Sequence, residues 1–581
     1  MAVSKRSVLP LADRGHAGSK SVTPQALVRN TMLRVKSAKL DRYIAGAERS
    51  REAQEAGLLR RIRQNRDSQF GRDHGFAEIR NIDDFRSRVP VSDYEYHRPY
   101  IQQVMHGHVD ALFAPGTKIW MYAQTSGTTA DSKFIPVTDR FYRQYKAGWQ
   151  AWGTSLYRAY PHLIHRQTLQ FTSNWKTSYA PDGIPCGNIS GLAAETRPFY
   201  MNSMFVLPST VMEIKDSFAK HYTALRLSLA SDRVGMIITA NPSTLVRVAK
   251  RADEMKEDLI RDIRDGTLSE SIDVPASVRE RLRSRLRSDP DRAKELSDLI
   301  KTKETLNLLD AWPGLEMLAV WTGGSVGSYL GQLKKRIGST HIRDHGISAS
   351  EGRMTLPLRD GRSDGMIDYT SHFYEFIPVD QHDDDNPEVL LAHELTPGED
   401  YFILLTTDSG LYRYDIHDLV RCHGFQGQAP MLSFLNKGAN CSSFTGEKLF
   451  EYQVNLAMQR TCDSFGVTNG TFTLAPEMIE MPQYHLVVTD SLVEECGDAF
   501  IREFERHLKS INLEYDDKCD SGRILPIVGV PVSQAVWAEM RRRKTAARGN
   551  FEEYKHPCLT SDLEFLPKIR SIVAELQPVN S

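Results

Sequence analysis

The sequence predicts a mixed α/β protein in which a large domain precedes a small α+β module. Helices alternate with short apolar strands over 118–321, as in layered α/β structures. Strands with little helix between them follow over 372–422, which indicates an antiparallel or barrel-like part. The pattern changes again from Asn436. We therefore expect a hinge at 435–438, between a large domain (26–435) and a small mobile one (436–581).

Hydrophobic spacing predicts the individual elements. An amphipathic helix is expected over 26–65, because its apolar residues share one face. Further helices are expected over 136–157, 244–264 and 277–303. Strands are expected over 118–124, 168–172, 234–239, 315–321, 372–379, 401–407 and 411–422. The small module contains short segments at 450–460, 470–475, 483–488, 497–509 and 533–543.

The composition is typical of a large globular protein. Its 581 residues are 40% hydrophobic and 25% charged, with a formal net charge of -1. A nucleic-acid or membrane surface usually needs a basic excess, so we expect neither partner, and no obligate protein partner is evident. No apolar run reaches the roughly 18 residues of a membrane span. Seven cysteines without paired spacing indicate reduced thiols and a cytoplasmic location.

The N-terminus is basic. Residues 1–40 carry eight Lys or Arg and one acid, Asp13. Such a segment is typical of a transit peptide or of a disordered basic arm. We favour an arm over 1–25, because helical spacing already begins at Leu27.

A turn rich in hydroxyls and glycine follows the strand at 118–124. Backbone N–H groups, hydroxyls and one cation in such a loop can bind a polyphosphate. The spacing of a Walker loop is absent, and an ordinary polar turn is the alternative. The candidate phosphate-binding residues are Ser126, Gly127, Thr128, Thr129 and Lys133.

A second candidate is the segment 346–352, with the sequence GISASEG. A carboxylate among small residues, here Glu351, can reach a magnesium ion held by phosphates. The alternative is a helix start in which Ser348 or Ser350 is the cap.

The third candidate is LYRYDIHDL at 411–419. Asp415 and Asp418 lie in a strand pattern, where a buried carboxylate needs a partner. One of them could accept both ribose hydroxyls of a nucleotide, and the alternative is an ion pair with Arg413. A fourth segment, 434–438, contains Lys437 and has a plain interdomain linker as its alternative.

In this order the four segments resemble the adenylate-forming enzyme superfamily. More closely, the chain resembles the Gretchen-Hagen-type acyl-acid amido synthetases of the auxin-responsive promoter family. The supporting motifs are TSGT at 125–128 with Lys133 and Pro136, DGIPCG at 182–187, RDGTL at 264–268, TGGS at 322–325 with Tyr329, Ser350-Glu351, FYEFIP at 373–378, LYRY at 411–414 and EYKHP at 553–557.

The resemblance implies the adenylate-forming fold and the use of ATP and Mg²⁺. A carboxylic acid would be activated as acyl-adenylate, and its acyl group passed to an amine, such as an amino acid. Glu351 would bind magnesium, Asp418 would hold the ribose, and Lys437 and Lys555 would be catalytic lysines. Implied nucleotide-binding residues are Ser126, Gly127, Thr128, Thr129, Lys133, Thr322, Ser325, Ser348, Ala349, Ser350 and Asp418.

Three positions depart from the family's pattern. Ile347 stands where a tyrosine is usual, His417 replaces a glycine before Asp418, and Cys558 replaces an arginine. The changes at Ile347 and His417 leave open that the chain is a catalytically impaired relative that binds ligands. A separate alternative is an acceptor that is a thiol or hydroxyl.

Overall fold

The computed structural model describes residues 24–125, 133–323, 330, 333, 338, 340–382, 384–438, 441–442, 447, 449–478, 482–520, 524–546 and 556–576. Most of the predicted phosphate loop, Ser126, Gly127, Thr128 and Thr129, lies outside these residues, as do Ser325, Lys555 and residues 1–23 of the basic arm. No helix of the described ranges is long and apolar enough to cross a membrane.

The prediction of one continuous helix over 26–65 is wrong. Two helices, Pro24–Gly46 and Ser50–Gln64, are separated by a 3-10 turn at Ala47–Arg49. Gly46 lies against Tyr369, whose hydroxyl would be 2.6 Å from a Cβ at this position. The bend therefore occurs where the helix contacts the body of the domain. Shorter helices follow at Gln69–Asp73, Ile82–Arg88 and Tyr94–Met105.

A small sheet includes the predicted first strand. β1 (Ile119–Thr125) pairs antiparallel with β2 (Lys133–Thr138), and Thr125 lies opposite Lys133. The helix expected from residue 136 instead starts after β2, at Asp139–Ala159. Thr138 caps this helix by accepting a hydrogen bond from the Phe141 amide.

A parallel sheet follows, in agreement with the alternating pattern. Its strands in spatial order are β3 (Gln167–Gln170), β6 (Val234–Ile238), β7 (Met317–Ala319) and β8 (His341–Arg343). Between β3 and β6 in the chain lie β4 (Ser178–Tyr179) and β5 (Pro185–Gly187), which join the sheet of β1.

Helices pack on the parallel sheet and form one apolar core with it. The long helices predicted over 244–264 and 277–303 are each interrupted in the structure. The helices of this part are Ile189–Glu195, Ser217–Leu229, Pro242–Glu254, Lys256–Asp265, Ala276–Leu282, Pro290–Lys303 and Leu308–Ala311.

The predicted antiparallel part is confirmed. A two-residue hairpin, β9 (Ser348–Ala349) and β10 (Gly352–Arg353), precedes it. Within the described residues the larger sheet has seven strands, in the spatial order β11-β12-β17-β16-β15-β13-β14. These are β11 (Thr355–Leu356), β12 (Gly365–Ile367), β13 (Phe373–Pro378), β14 (Leu390–Leu391), β15 (Asp400–Thr406), β16 (Tyr414–Gln426) and β17 (Ala429–Lys437).

The C-terminal part has separate apolar cores of its own. Its strands are β18 (Cys441–Ser442), β19 (Leu449–Phe450), β20 (Phe472–Met478), β21 (Pro482–Thr489) and β22 (Leu525–Val532). Its helices are Glu451–Phe465, Asp490–Cys496, Asp498–Ile511, Leu513–Asp520, Gln534–Ala546 and Phe565–Leu576. This mixture is the α+β module that the sequence predicts.

β17 runs through the expected hinge and ends at Lys437, which pairs with Asp418 of β16. Beyond it, Tyr452 contacts the larger sheet, since its hydroxyl donates to Asp400 at 3.1 Å. The separate cores favour two domains, and the boundary at 435/436 stays a prediction.

Candidate active site

Glu351 lies at the tip of the hairpin formed by β9 and β10. Ser350 and Glu351 form its turn, while Ser348 and Ala349 pair with Arg353 and Gly352. The helix cap considered as the alternative is therefore wrong. The Glu351 side chain is buried, whereas Ser348, Ala349 and Ser350 are half-buried. The hairpin thus presents a carboxylate that is largely withdrawn from solvent.

Asp418 and Lys437 meet across neighbouring antiparallel strands. They are opposite each other in the register of β16 and β17, and the Lys437 ammonium contacts Asp418 Oδ1. Lys437 also donates to the Ile416 carbonyl at 3.2 Å. The Asp418 side chain is 5% exposed and that of Lys437 is 42% exposed. The carboxylate is therefore buried, whereas part of the lysine side chain reaches the surface.

Electrostatic effects connect this pair with the hairpin. Burial raises the pKa of Glu351, and Asp418 raises it further, whereas Lys437 and Lys133 lower it. Burial disfavours the ammonium of Lys437, but the charges of Asp418 and Glu351 outweigh that effect and raise the pKa of this lysine. Two carboxylates and two lysines from separate segments are thus close enough to influence one another.

Lys133 faces the same place from the start of β2. Its amine is 3.4 Å from the hydroxyl of Tyr414 and 5.5 Å from the ring centroid of Tyr94. Both rings are buried. Burial raises the pKa of Tyr414, with further increases from Glu351 and Asp418. This tyrosine therefore stays a neutral hydroxyl between the lysine and the carboxylates.

Thr322 is held by an acid that the sequence motifs did not single out. Asp344 accepts hydrogen bonds from the amide and hydroxyl of Thr322 at 2.5 and 2.6 Å. The same carboxylate accepts from the Gly346 amide at 2.5 Å, and burial raises the pKa of Asp344. A Cβ at Gly346, where φ is +83°, would lie 2.4 Å from the Thr355 carbonyl oxygen. Asp344 thus joins Thr322 to the segment that leads into the hairpin.

The proposed pairing of Arg413 with a neighbouring aspartate is wrong. Arg413 instead bonds Glu375 of β13 at 3.0 Å, and both side chains are buried. Asp415 pairs with His382 at 2.7 Å and lies 3.3 Å from the Nδ1 of His417. The sequence contains no local signal for these partners, which come from other strands and loops.

A bulge separates Asp415 from Asp418. Phe402 of β15 pairs with Leu419 of β16, and Leu404 pairs with Asp415. One residue of β15 therefore lies opposite three residues of β16. His417 lies in this bulge with φ +55°. Simple alternation of strand faces, which would put Asp415 and Asp418 on opposite faces, does not apply across a bulge.

The other departures from the family's pattern are core residues. Ile347 is 5% exposed and packs in the main apolar core. Cys558 is buried in a core of the C-terminal part, and its amide donates to Glu451 at 2.5 Å. Burial raises the pKa of the Cys558 thiol.

Of the residues predicted from the sequence, Glu351, Asp418, Lys133 and Lys437 lie close together in the structure, whereas the residues that position them were missed. Tyr414 belongs to the quoted LYRY motif, and its place beside Asp415 in the strand could have drawn attention to it. Tyr94, Asp344 and His382 lie in segments with no distinctive pattern. Only the folded chain brings them to the motifs.

Known proteins share this architecture. Models of the GH3 family N-terminal, central and C-terminal domains match residues 40–342, 365–437 and 452–564. The probable indole-3-acetic acid-amido synthetase GH3.2 of Oryza sativa subsp. japonica is 24% identical over 76% of this chain and 76% of its own length. The jasmonoyl-L-amino acid synthetase JAR6 of Nicotiana attenuata is 24% identical over 78% and 82%.

A solved structure of AtGH3.15 acyl acid amido synthetase in complex with 2,4-DB superimposes with a TM-score of 0.78 at 19% identity. The match covers 93% of this chain and 96% of that one. This likeness confirms the fold class that the motifs implied. The model of the N-terminal domain alone matches more than half of the sequence. The three domain models follow one another along the chain in the order expected from the motifs. The chain therefore belongs to the GH3 family.

Proposed function

We propose that this protein uses ATP to activate a small carboxylic acid as acyl-adenylate and then transfers the acyl group to the amine of an amino acid. Family membership and the named activities of the relatives support this proposal. The observation that carries it is the grouping of Glu351, Asp418, Lys437 and Lys133 around one place.

The reaction has two steps that need the same kind of site. A carboxylate oxygen of the acid forms a bond to the α-phosphorus of ATP, and the bond to pyrophosphate breaks. The amine nitrogen then bonds the acyl carbon, AMP leaves with the electron pair of the C–O bond, and the amine loses a proton. Negative charge develops on phosphate oxygens in the first step, so nearby cations lower its barrier.

Asp418 and Lys437 would exchange partners when nucleotide binds. One Asp418 oxygen is engaged by Lys437 in the present arrangement. A carboxylate that accepts both ribose hydroxyls needs both of its oxygens. The Lys437 side chain is 42% exposed, and its ammonium, once released from Asp418, would then be available to the negatively charged phosphates. Its position at the end of β17 would let a turn of the small domain carry it toward or away from them.

Glu351 is the residue that fits a magnesium ion. Mg²⁺ prefers hard oxygen ligands and usually binds one or two carboxylates together with substrate phosphates. Glu351 supplies a buried carboxylate beside two lysines that are suited to phosphate. A magnesium ion held there would neutralise charge on the phosphate oxygens. We further propose, from the unpaired cysteine spacing, that the protein works in the cytoplasm.

Acid-dependent exchange of labelled pyrophosphate into ATP tests the first step. The panel should include indole-3-acetic acid, jasmonic acid and 2,4-DB, because these are the acids named for the relatives. The second step is tested by mass spectrometry of products formed with each amino acid, with coenzyme A, and with an alcohol. Exchange without any amide product would contradict transfer to an amine, and no exchange with any acid would contradict adenylation.

Glu351→Gln should leave the protein folded but remove most acid-dependent pyrophosphate exchange. The amide keeps the size of the side chain and lacks the negative charge that a magnesium ion needs. Glu388→Gln is a matched control, since it removes an exposed carboxylate from the same domain. Both variants should melt near the wild-type temperature. Normal exchange by Glu351→Gln would show that this carboxylate has another role.

A further inference from the structure

A cluster of two histidines and one aspartate lies beside the candidate active site. His382 Nε2 is 2.7 Å from Asp415 Oδ2, and His417 Nδ1 is 3.3 Å from the same oxygen. One ligand atom from each side chain lies within 4.8 Å of the other two. The proposed adenylation chemistry gives none of these three side chains a role.

The surrounding residues hold the cluster in place. The His382 ring stacks on Phe402, with 3.7 Å between centroids. Asp415 Oδ1 accepts a hydrogen bond from the His417 amide at 2.7 Å, so its other oxygen stays directed at the two rings. The Asp415 amide in turn donates to the Ser92 carbonyl at 2.8 Å. Such secondary contacts orient ligands at metal sites.

His417 joins the cluster through an unusual backbone conformation. Its φ of +55° is in the left-handed region, where glycine is unstrained and a residue with a side chain is not. Residues in this region often mark functional sites, because the surrounding structure must maintain them. Here the bulge brings the imidazole to Asp415 instead of extending it along the strand.

We propose that His382, Asp415 and His417 bind a zinc ion through two imidazole nitrogens and one carboxylate oxygen. Zinc is bound at about 2.0–2.2 Å by these ligand types. Tetrahedral geometry then separates neighbouring ligand atoms by roughly 3.3–3.6 Å, so only small side-chain movements are needed. The exposed side-chain fractions are 16% for His382, 9% for Asp415 and 44% for His417. The cluster is therefore open on the side of His417, where the ion can enter and a water ligand can bind.

Ligand chemistry separates this site from the one assigned to magnesium. Imidazole suits zinc, copper, nickel and iron, whereas magnesium prefers oxygen ligands only. The ammonium of Lys437 contacts Asp418, which reduces its repulsion of a second cation. Since His417 directly precedes Asp418, an ion there would also stiffen the bulge that positions the ribose carboxylate.

Metal binding by the full-length protein tests the proposal without an activity assay. After removal of metals, the protein is titrated with Zn²⁺ against a chromophoric chelator and, separately, with Co²⁺ while its visible absorption is followed. His417→Gly removes one ligand and suits the local φ, so it should fold. His382→Ala removes a second ligand independently. His423→Ala is the matched control, an exposed histidine of the same strand.

We expect wild type and His423→Ala to bind one zinc ion that His417→Gly and His382→Ala bind at least tenfold more weakly. The cobalt spectrum should show tetrahedral or five-coordinate absorption that both ligand variants lose. Zinc should raise the melting temperature of wild type and not of His417→Gly. Equal zinc affinity in wild type and both ligand variants, or no zinc bound by folded wild type, would overturn the site and leave a hydrogen-bonded network only.

Discussion

Asp418 and Asp415 are three residues apart and have different partners. Asp418 contacts a lysine of the neighbouring strand, whereas Asp415 bonds a histidine from a loop. Both carboxylates are almost fully buried. At the scale of single residues, the two carboxylates therefore differ in their partners, and the proposed ribose contact is assigned to Asp418.

Asp418→Asn should weaken ATP binding by about 1.5–3 kcal/mol, the range for hydrogen bonds to a charged group. This corresponds to a roughly tenfold to hundredfold rise in Kd. Asp415→Asn should lower the melting temperature instead, because it weakens the acceptor for His382. ATP titration beside thermal unfolding separates the two effects. Loss of ATP binding in Asp415→Asn alone would mean that the ribose residue has been misassigned.

At the scale of the element, the bulge in β16 determines how the motif is presented. It places an extra loop of backbone between Asp415 and Leu419 and puts His417 at φ +55°. Bulges commonly redirect side chains next to active sites. Arg413, at φ +47°, begins the same stretch and is held by the buried Glu375. The strand is thus shaped by backbone conformations that no propensity predicts.

His417→Ala should be less stable than His417→Gly by about 1 kcal/mol. Both lose the imidazole, so their difference reports the backbone alone. A left-handed conformation costs a residue with a Cβ roughly 1–2 kcal/mol, which exceeds the entropy cost of glycine, about 0.5–1 kcal/mol. Urea unfolding of the two metal-free variants measures the difference. An alanine variant as stable as the glycine variant would show that the bulge relaxes to negative φ.

At the scale of the whole molecule, separate cores divide the chain. Most core residues of the larger sheet and of the C-terminal part form different sets, whereas Phe450 packs with Phe402 and Leu419 of the sheet. The chain passes between the two parts after Lys437. A turn of the smaller part about this segment would let one site serve both steps.

Limited proteolysis should cut first near 435–438 and give two folded fragments. Residues 435–437 lie at the paired end of β17, so cleavage there requires that this end opens when the small part turns. Fragment masses identify the cleavage site, and circular dichroism of the fragments tests their folding. Protection of this segment together with cleavage elsewhere would contradict the boundary.

Acid should destabilise the molecule through its buried histidines. Burial lowers the pKa of His97 from 6.5 to about 4 and those of His221, His345 and His372 to about 3. The unfolded chain therefore binds more protons than the folded protein between these values and 6.5, so stability falls as pH falls through that window.

The variant His97→Gln isolates one of these contributions. Each fully depressed histidine contributes a slope of about 1.4 kcal/mol per pH unit, which this variant should remove. Glutamine can still accept a hydrogen bond from the Tyr412 amide, as His97 Nε2 does at 3.1 Å. Urea unfolding between pH 4 and 6.5 measures the slope. Identical slopes would show that His97 protonates without unfolding.

Local patterns in the sequence determined most element types, the antiparallel part and the family, and they supplied the acids and lysines of the candidate site. Hydrophobic spacing and short motifs depend on neighbours in the chain, so they can be read without the fold. The breaks in the helix over 26–65 and after residue 254 were missed, because packing against distant segments overrides helix propensity.

Tertiary structure alone decided which groups meet. Residues from separate segments meet in the ion pair of Arg413 with Glu375 and in the hydrogen bonds from Thr322 to Asp344. They also meet in the cluster around Asp415. Such contacts depend on strand register and on the bulge at His417, which a single residue of slippage would change. The sequence by itself therefore determined which chemical groups are available, and the fold decided their partners, because partnership is set by distance in space.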